Sequence, residues 1–504
     1  MAGINGCPES PDEILRRSPC ASLEENLDCL RAVFRMPKNK DIVLHRFPVC
    51  GFGACVAFID GISSSDEIAA SVIRPCVTEK APDENLKSED RLRHIGENIL
   101  YACQVSDADT FADVARDMLN GLCALFADGC AGALLIDTRD LPHRAVSHTN
   151  NESVVLGSQE GFVESLRTNI SLVRKHLHSP ALVTEMIPVG SENRLNAALL
   201  YVDGVTDPEI VVEARRRLRS VSAANVSGTG QIQQLIEDHP FSLFPQLLQT
   251  ERPDRAAAGL AEGQFAILAD NSPYALLAPS TLFHFIHASD DTFMRWQYGT
   301  FIRVIRSLGI LLSLFLPGLY IALTEFHTHL LPMNLLTSIA EARSNVPFPV
   351  IGEILVMEFS FFLINEAGTR IPSQIGSALG IVGALILGQA AVSASIISPM
   401  LIIIVALTGL GNFVVPSYNF SLAMELYRLL LLAMGALFGL YGIVMGAILL
   451  ISSVCYLRSF GAPYVAPFAP WRPHNPDLIL RLPLWLQRLP MFYAARSARK
   501  ERRS

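Results

Sequence analysis

Charged side chains are scarce in this chain: Asp, Glu, Lys and Arg together make up 17% of 504 residues, against about 25% in an ordinary soluble domain. Lysine is scarcer still, at 6 of the 40 basic residues. The net charge of −8 supplies no global positive field, which excludes nucleic-acid binding through overall charge. A hydrophobic content of 50% excludes a disordered, collagenous or coiled-coil description of the whole chain.

Recognisable catalytic motifs are also missing. There is no G-x-x-x-x-G-K-[ST] and no G-x-G-x-x-G following a strand. Neither G-x-S-x-G nor H-E-x-x-H occurs. His327 and His329 flank Thr328; at i and i+2 they diverge on a helix and suit a helix end better than a metal. The ten cysteines include no C-x-x-C pair, and nine lie before residue 131 at irregular spacings. The first 22 residues lack the basic-then-apolar pattern of a signal peptide. The expectation is a non-enzyme without metal or cofactor, whose thiols sit reduced in a cytosolic core.

What is present is a sharp division of charge. Residues 1–306 hold 28 Lys and Arg against 40 Asp and Glu, net −12, and residues 307–504 hold 12 against 8, net +4. No charged residue or histidine occurs between Arg370 and Glu425, or between Arg428 and Arg458. A bilayer span needs about 20 apolar residues, so an acidic soluble part precedes a membrane part. The expected spans are 307–324, 375–397, 400–415 and 429–457. A basic tail, 471–504, lies in the cytosol by the positive-inside rule, and with a cytosolic N-terminus this requires an even number of crossings.

The soluble part alternates β-like runs with helical stretches, which argues for α/β architecture. Strands are expected at Ile42–Leu44, Ala54–Ile59, Ala131–Ile136, Leu182–Ile187, Ala197–Val202, Gln264–Leu268 and Tyr274–Leu277, and helices at Phe111–Phe126, Glu160–Leu177 and Pro208–Leu218. Strand, Asp-Gly turn and acidic helix start recur at Asp60-Gly61 and Asp203-Gly204. Two similar subdomains, 1–140 and 141–300, would precede a membrane domain at 301–470.

Two membrane features carry candidate residues. The apolar stretch 347–366 includes Glu353, Glu358 and Glu366, with Arg370 just beyond. Carboxylates at membrane depth usually face a bundle interior or a water path; a surface-lying amphipathic helix or a re-entrant segment is the alternative. Gly435, Gly439, Gly442 and Gly446 repeat at four and three residues, the spacing of a smooth face for close helix packing.

Individual segments then resemble the GerA family, the A subunits of spore germinant receptors. They are Gly157–Leu177 (GSQEGFVESLRTNISLVRKHL), Glu251–Pro279, Leu316–Leu323 (LPGLYIAL), Pro347–Pro349, Glu366–Pro372 (EAGTRIP), Gly388–Val392 (GQAAV) and Ser459–Pro467 (SFGAPYVAP). Asn271 and Thr369 depart from the family pattern, in which Gly and an aliphatic residue are usual. A SpoVAF-type accessory protein shares these motifs, and a secondary transporter is a third reading.

The resemblance implies a cytosolic region of two α/β subdomains and an all-α polytopic membrane domain of about four spans, with a re-entrant or fifth segment, in the spore inner membrane. It further implies a multi-spanning B subunit and a C-subunit lipoprotein as partners, and a homo-oligomer, a pentamer in the family picture, acting as a nutrient-gated ion channel or transducer. In that picture Glu353, Glu358 and Glu366 attract cations, or Glu366 and Arg370 form an i,i+4 pair. Glu164, Arg167, Arg174 and Lys175 form either a solvated helix face or a subunit contact.

Overall fold

The computed structural model describes residues 10–49, 52–78, 88–101, 104–140, 152, 154, 156–370, 388–469, 471, 480–483 and 485. These divide into two compact units, one within Met1–Pro240 and Leu247–Ser280, the other within Phe241–Gln246 and Thr281–Phe492.

The first unit contains two five-stranded sheets. Strands β1 (Ile42–Val49), β2 (Phe52–Ile59), β3 (Val105–Ala108), β4 (Leu122–Ala127) and β5 (Ala133–Asp137) are ordered β1-β2-β4-β5-β3. Strands β6 (Leu182–Val189), β7 (Leu195–Val202), β8 (Leu248–Thr250), β9 (Phe265–Ala269) and β10 (Ala275–Ala278) are ordered β6-β7-β9-β10-β8. The second order is the first shifted by five, and every pairing is antiparallel. Asp60-Gly61 follows β2 and Asp203-Gly204 follows β7, the equivalent strand. Both glycines have positive φ, 88° and 83°, a conformation that glycine adopts without a Cβ penalty.

Alternation along β2 explains the layering. Cys55, Ala57 and Ile59 pack on one face, with Leu27 and Leu30 of helix α1 (Leu23–Val33) and Phe111 and Met118 of α2 (Phe111–Leu119). Ala54, Val56 and Phe58 enter the opposite core with Cys123, Leu125 and Ile136. A strand buried on both faces reads as a continuous apolar run, as Ala54–Ile59 does. The thiols of Cys55 and Cys123 are buried in these cores, and burial pushes Cys55 up to about 11 and Cys123 to about 12.

The helix expected over 111–126 is corrected. It ends at Leu119, Gly121 turns with φ 95°, and Leu122–Ala127 is the central strand β4. The apolar run is too continuous for one amphipathic helix, and the glycine separates the two elements. Helices α3 (Leu166–His176), α4 (Pro208–Ser220) and α5 (Pro253–Ala261) complete the second half. Asn271, where the family usually has glycine, has φ 60°; asparagine is among the few non-glycine residues that tolerate this region.

The second unit is helical. Helix α6 spans Trp296–Ile321, and Asp291 anchors its start by accepting from Arg306 at 2.7 Å and Arg303 at 3.2 Å. Burial works against the Asp291 carboxylate, but these guanidinium groups hold it below the usual range. Helix α7 spans Val350–Arg370, α8 Pro399–Phe413 and α9 Tyr418–Tyr456. Among the described residues, two helical stretches are long and apolar enough to cross a membrane, Trp296–Phe326 and Tyr418–Tyr456.

The single last span expected at 429–457 is corrected, because α9 is a hairpin. Gly439 has φ 61° and ψ −141°. The hydroxyls of Tyr427 and Ser453, 26 positions apart, lie 2.9 Å from each other, whereas a straight helix would separate them by about 39 Å. Arms 418–438 and 440–456 therefore run antiparallel.

The glycine repeat is accordingly not one smooth face. A Cβ on Gly435 would lie 2.9 Å from the Gly318 carbonyl oxygen of α6, and Gly439 makes the turn. A Cβ on Gly442 would meet the Met434 carbonyl oxygen of the opposite arm at 2.0 Å, and one on Gly446 would meet Leu431 at 2.6 Å. Of the other expected spans, 307–324 runs along α6 and into the helical turn that follows it, and 400–415 covers α8 and two residues beyond, while most of 375–397 lies outside the described residues, as does most of the tail 471–504.

Candidate functional site

Helix α7 projects its carboxylates in different directions. Glu353 and Glu358 are five residues apart, about 140° around a helix, and each is bonded to a different neighbour. Glu353 is 1% exposed and its Oε2 accepts from the Ser398 backbone N at 2.9 Å. Ser398 is the N-cap of α8, so the carboxylate meets the positive end of that helix dipole. The other oxygen lies 3.4 Å from Arg343 Nε, and Arg343 also reaches Glu325 at 3.6 Å.

Glu358 is 2% exposed and accepts from Arg428 Nη2 at 2.8 Å. Arg428, on the first arm of α9 and 1% exposed, also donates from Nη1 to Ser313 Oγ of α6 at 3.4 Å. One turn earlier on the same arm, Glu425 accepts from Asn412 Nδ2 of α8 at 2.5 Å. Helices α6, α7, α8 and α9 thus share a buried polar cluster. Close backbone approach makes this possible: a Cβ on Gly318 would sit 3.1 Å from the Leu431 carbonyl oxygen, and one on Gly411 2.4 Å from that of Gly309.

Glu366 lies further along α7 and is exposed. Arg370 closes that helix, and its side chain lies outside the described residues. Sequence reasoning missed Glu425, Arg428, Asn412, Ser313 and Arg343. The first two served only as the ends of uncharged runs, although an isolated charge among apolar residues is itself a functional signal.

In the first unit, the charges of α3 face inward and sideways. Arg174 is 1% exposed and donates to Asp41 and to the Leu182 carbonyl, 3.1 Å away. Arg174 is buried within its own unit, where the last turn of α3 packs against the loop before β1. Arg167 remains largely exposed and donates to Asp60 at 2.5 Å. Lys175 pairs with Glu160 at 2.6 Å, and Glu164 is exposed. Among the described residues, no group of three or more His, Cys, Asp or Glu side chains forms a metal cluster.

Comparison with known proteins places this architecture. Residues 29–491 match the family model described as Bacillus/Clostridium GerA spore germination protein. The chain is 36% identical to Spore germination protein B1 of Bacillus subtilis (strain 168) over 93% of its own length and 97% of that protein's. It is 36% identical to the Uncharacterized membrane protein YfkQ of the same strain, over 95% and 93%, and 37% identical to Spore germination protein KA over 85% and 78%. The crystal structure of the N-terminal domain of the A subunit of the Bacillus megaterium spore germinant receptor GerK3 covers 53% of this chain and 98% of its own, at 27% identity and a TM-score of 0.42. The chain is a member of the GerA family of spore germination proteins.

Proposed function

We propose that this chain is the A subunit of a spore germinant receptor, a membrane protein that helps convert a nutrient signal into germination. The similarity to Spore germination protein B1 over nearly the full length of both chains carries the reading. In this reading the two-sheet unit lies in the cytosol and the helical unit in the spore membrane, where it assembles with further copies and with B and C subunits as a channel or transducer.

The buried pair Glu358–Arg428 suits such a role. An ion pair held by three packed helices has discrete arrangements and can bias two states of a gate. Glu353, at the α8 N-terminus, is a second latch on the same helix.

Removing the gene from its spore-forming host and supplying it again tests the role. Germination in response to a particular nutrient set should disappear and return, with other responses intact. Slower germination with every nutrient would instead favour the SpoVAF-type accessory reading. No change in any response would overturn both.

A further inference from the structure

The first turns of α6 divide sharply by face. Tyr298, Phe301, Ile305 and Leu308 recur at three- and four-residue spacing, and all four are exposed. The opposite face is buried at Gly299, Arg303 and Arg306. Both arginines turn inward to Asp291, and Arg306 also donates to the Ile286 carbonyl at 3.1 Å. With its charges hidden in this way, the helix presents a bare apolar stripe from Tyr298 onward. That stripe continues without a break through Leu311 and Leu312 of the membrane-crossing stretch, which are also exposed.

The chain beyond α9 returns to this point. Arg481 is buried, and its guanidinium donates to the carbonyl of Asp291 and, at 2.7 Å, to that of Thr292. Its own carbonyl accepts from Thr300 Oγ1 of α6 at 2.9 Å. A Cβ on Gly299 would lie 2.8 Å from Arg481 Cδ, so the glycine makes room for this strap. Leu480 and Trp485, on either side of Arg481 in the chain, are 51% and 75% exposed. Charge here is positive on balance: Arg295, Arg303, Arg306 and Arg481 stand against Asp290 and Asp291.

Packing of α9 on α6 sets the depth of this patch. Gly439 lies beside Phe326, Gly435 beside Gly318 and Arg428 beside Ser313, so the start of α9 is level with the start of α6. Tyr418 and Phe438, exposed at the two ends of the first arm, are separated by about 30 Å of helix, the thickness of a hydrocarbon core. Carried across to α6, the near boundary of that core falls close to Phe301. Tyr298 and Trp296 then lie within about 8 Å beyond it, in the headgroup layer, where aromatic rings of this kind gather.

We propose that the start of α6 and the strap held by Arg481 form a seat for anionic phospholipid headgroups. Trp296, Tyr298 and Trp485 lie in the headgroup layer, and the arginine cluster draws the lipid phosphates, as basic groups beside a span do at an anionic leaflet. The inference rests on the reading that the helical unit lies in a membrane. It makes the strap part of the membrane surface and couples the Asp291 cluster, on which α6 begins, to lipid charge.

The test uses the full chain in nanodiscs of equal parts phosphatidylcholine and phosphatidylglycerol. The chain has three tryptophans, Trp296, Trp471 and Trp485, so paired Phe substitutions leave a single fluorescent reporter. Trp296 alone and Trp485 alone should each be quenched at least twofold more by a headgroup nitroxide than by one deep in the acyl chain. Leu449→Trp on the second arm of α9, in a tryptophan-free chain, should show the reverse order. Phosphatidylglycerol labelled high on its acyl chain should quench Trp296 at least twofold more than phosphatidylcholine labelled likewise. Arg481→Met should halve the quenching of Trp485 and leave that of Trp296 unchanged. If aqueous acrylamide reaches Trp296 and neither nitroxide does, the proposal is overturned, while quenching of Leu449→Trp keeps the membrane reading intact. Shielding of Trp296 from all three quenchers, as a second copy on this face would produce, overturns it too, and so does equal quenching by the two labelled lipids. Loss of lipid quenching at Leu449→Trp as well would overturn the membrane reading itself.

Discussion

Glu358 and Arg428, 70 positions apart in sequence, meet at 2.8 Å with 2% and 1% of their surface exposed. Neither charge has water to return to if the other is removed. Breaking a buried pair from one side costs about 3–5 kcal/mol, whereas replacing both partners with apolar or neutral groups of similar volume is often neutral. Glu358→Gln and Arg428→Met should therefore each lower the thermal unfolding midpoint of the detergent-solubilised chain. The double variant should recover most of that loss. If the singles and the double are equally unstable, the pair is not an isolated unit of the helical core.

The turn at Gly439 makes a second, geometric prediction. A Cβ there would meet His327 at 2.9 Å and Phe326 at 3.0 Å, at a φ of 61°. Gly439→Ala should destabilise the hairpin by about 1–3 kcal/mol, combining backbone strain with displaced neighbours. Cysteines in place of Tyr427 and Ser453, whose hydroxyls lie 2.9 Å apart, should crosslink with a short bifunctional reagent. No crosslink would mean that the two arms do not fold back on each other.

These two relationships also mark what could be read from the sequence. The recurring strand, Asp-Gly and helix start led to two sheets with the same order, because a buried strand and a left-handed glycine leave local traces. The hairpin left no such trace: a glycine every three or four residues fits a smooth packing stripe as well as a reversal, and only φ distinguishes them. Glu358 could be singled out as a charge in an apolar segment. Its partner depends on the rotation of α9 about its axis, which neither span length nor composition specifies.

In the first unit, two arginines of α3 should differ in their energetic weight. Arg174 is buried against Asp41, while the Arg167 side chain is 69% exposed beside Asp60. Arg174→Ala leaves the buried Asp41 carboxylate without its cation, with the Thr184 hydroxyl still donating to it, and should cost about 3–5 kcal/mol. Arg167→Ala should cost less than about 1 kcal/mol, because water and salt screen the exposed pair. Urea unfolding followed by a probe within the first unit would measure both, and equal effects would contradict the difference in burial.

Acidification supplies the last prediction. Glu213 accepts from Arg216 at 2.6 Å and from Arg217 at 2.7 Å, which lowers its pKa from 4.5 to about 2. The Arg139 bond lowers Asp137 as well. A carboxyl with a depressed folded-state pKa stabilises the fold at pH values above its unfolded pKa, and that contribution is lost as protons bind below it. The unfolding midpoint should therefore fall as pH drops from about 5 toward 2, with the Glu213 part still being lost near pH 2. Glu213→Gln removes that titration and should flatten the pH dependence. Because Glu213 is partly exposed, high salt should also reduce the effect. Thermal melts of the wild-type chain and the variant across this pH range would check the sign, and an unchanged slope in Glu213→Gln would show that other carboxylates govern the acid response.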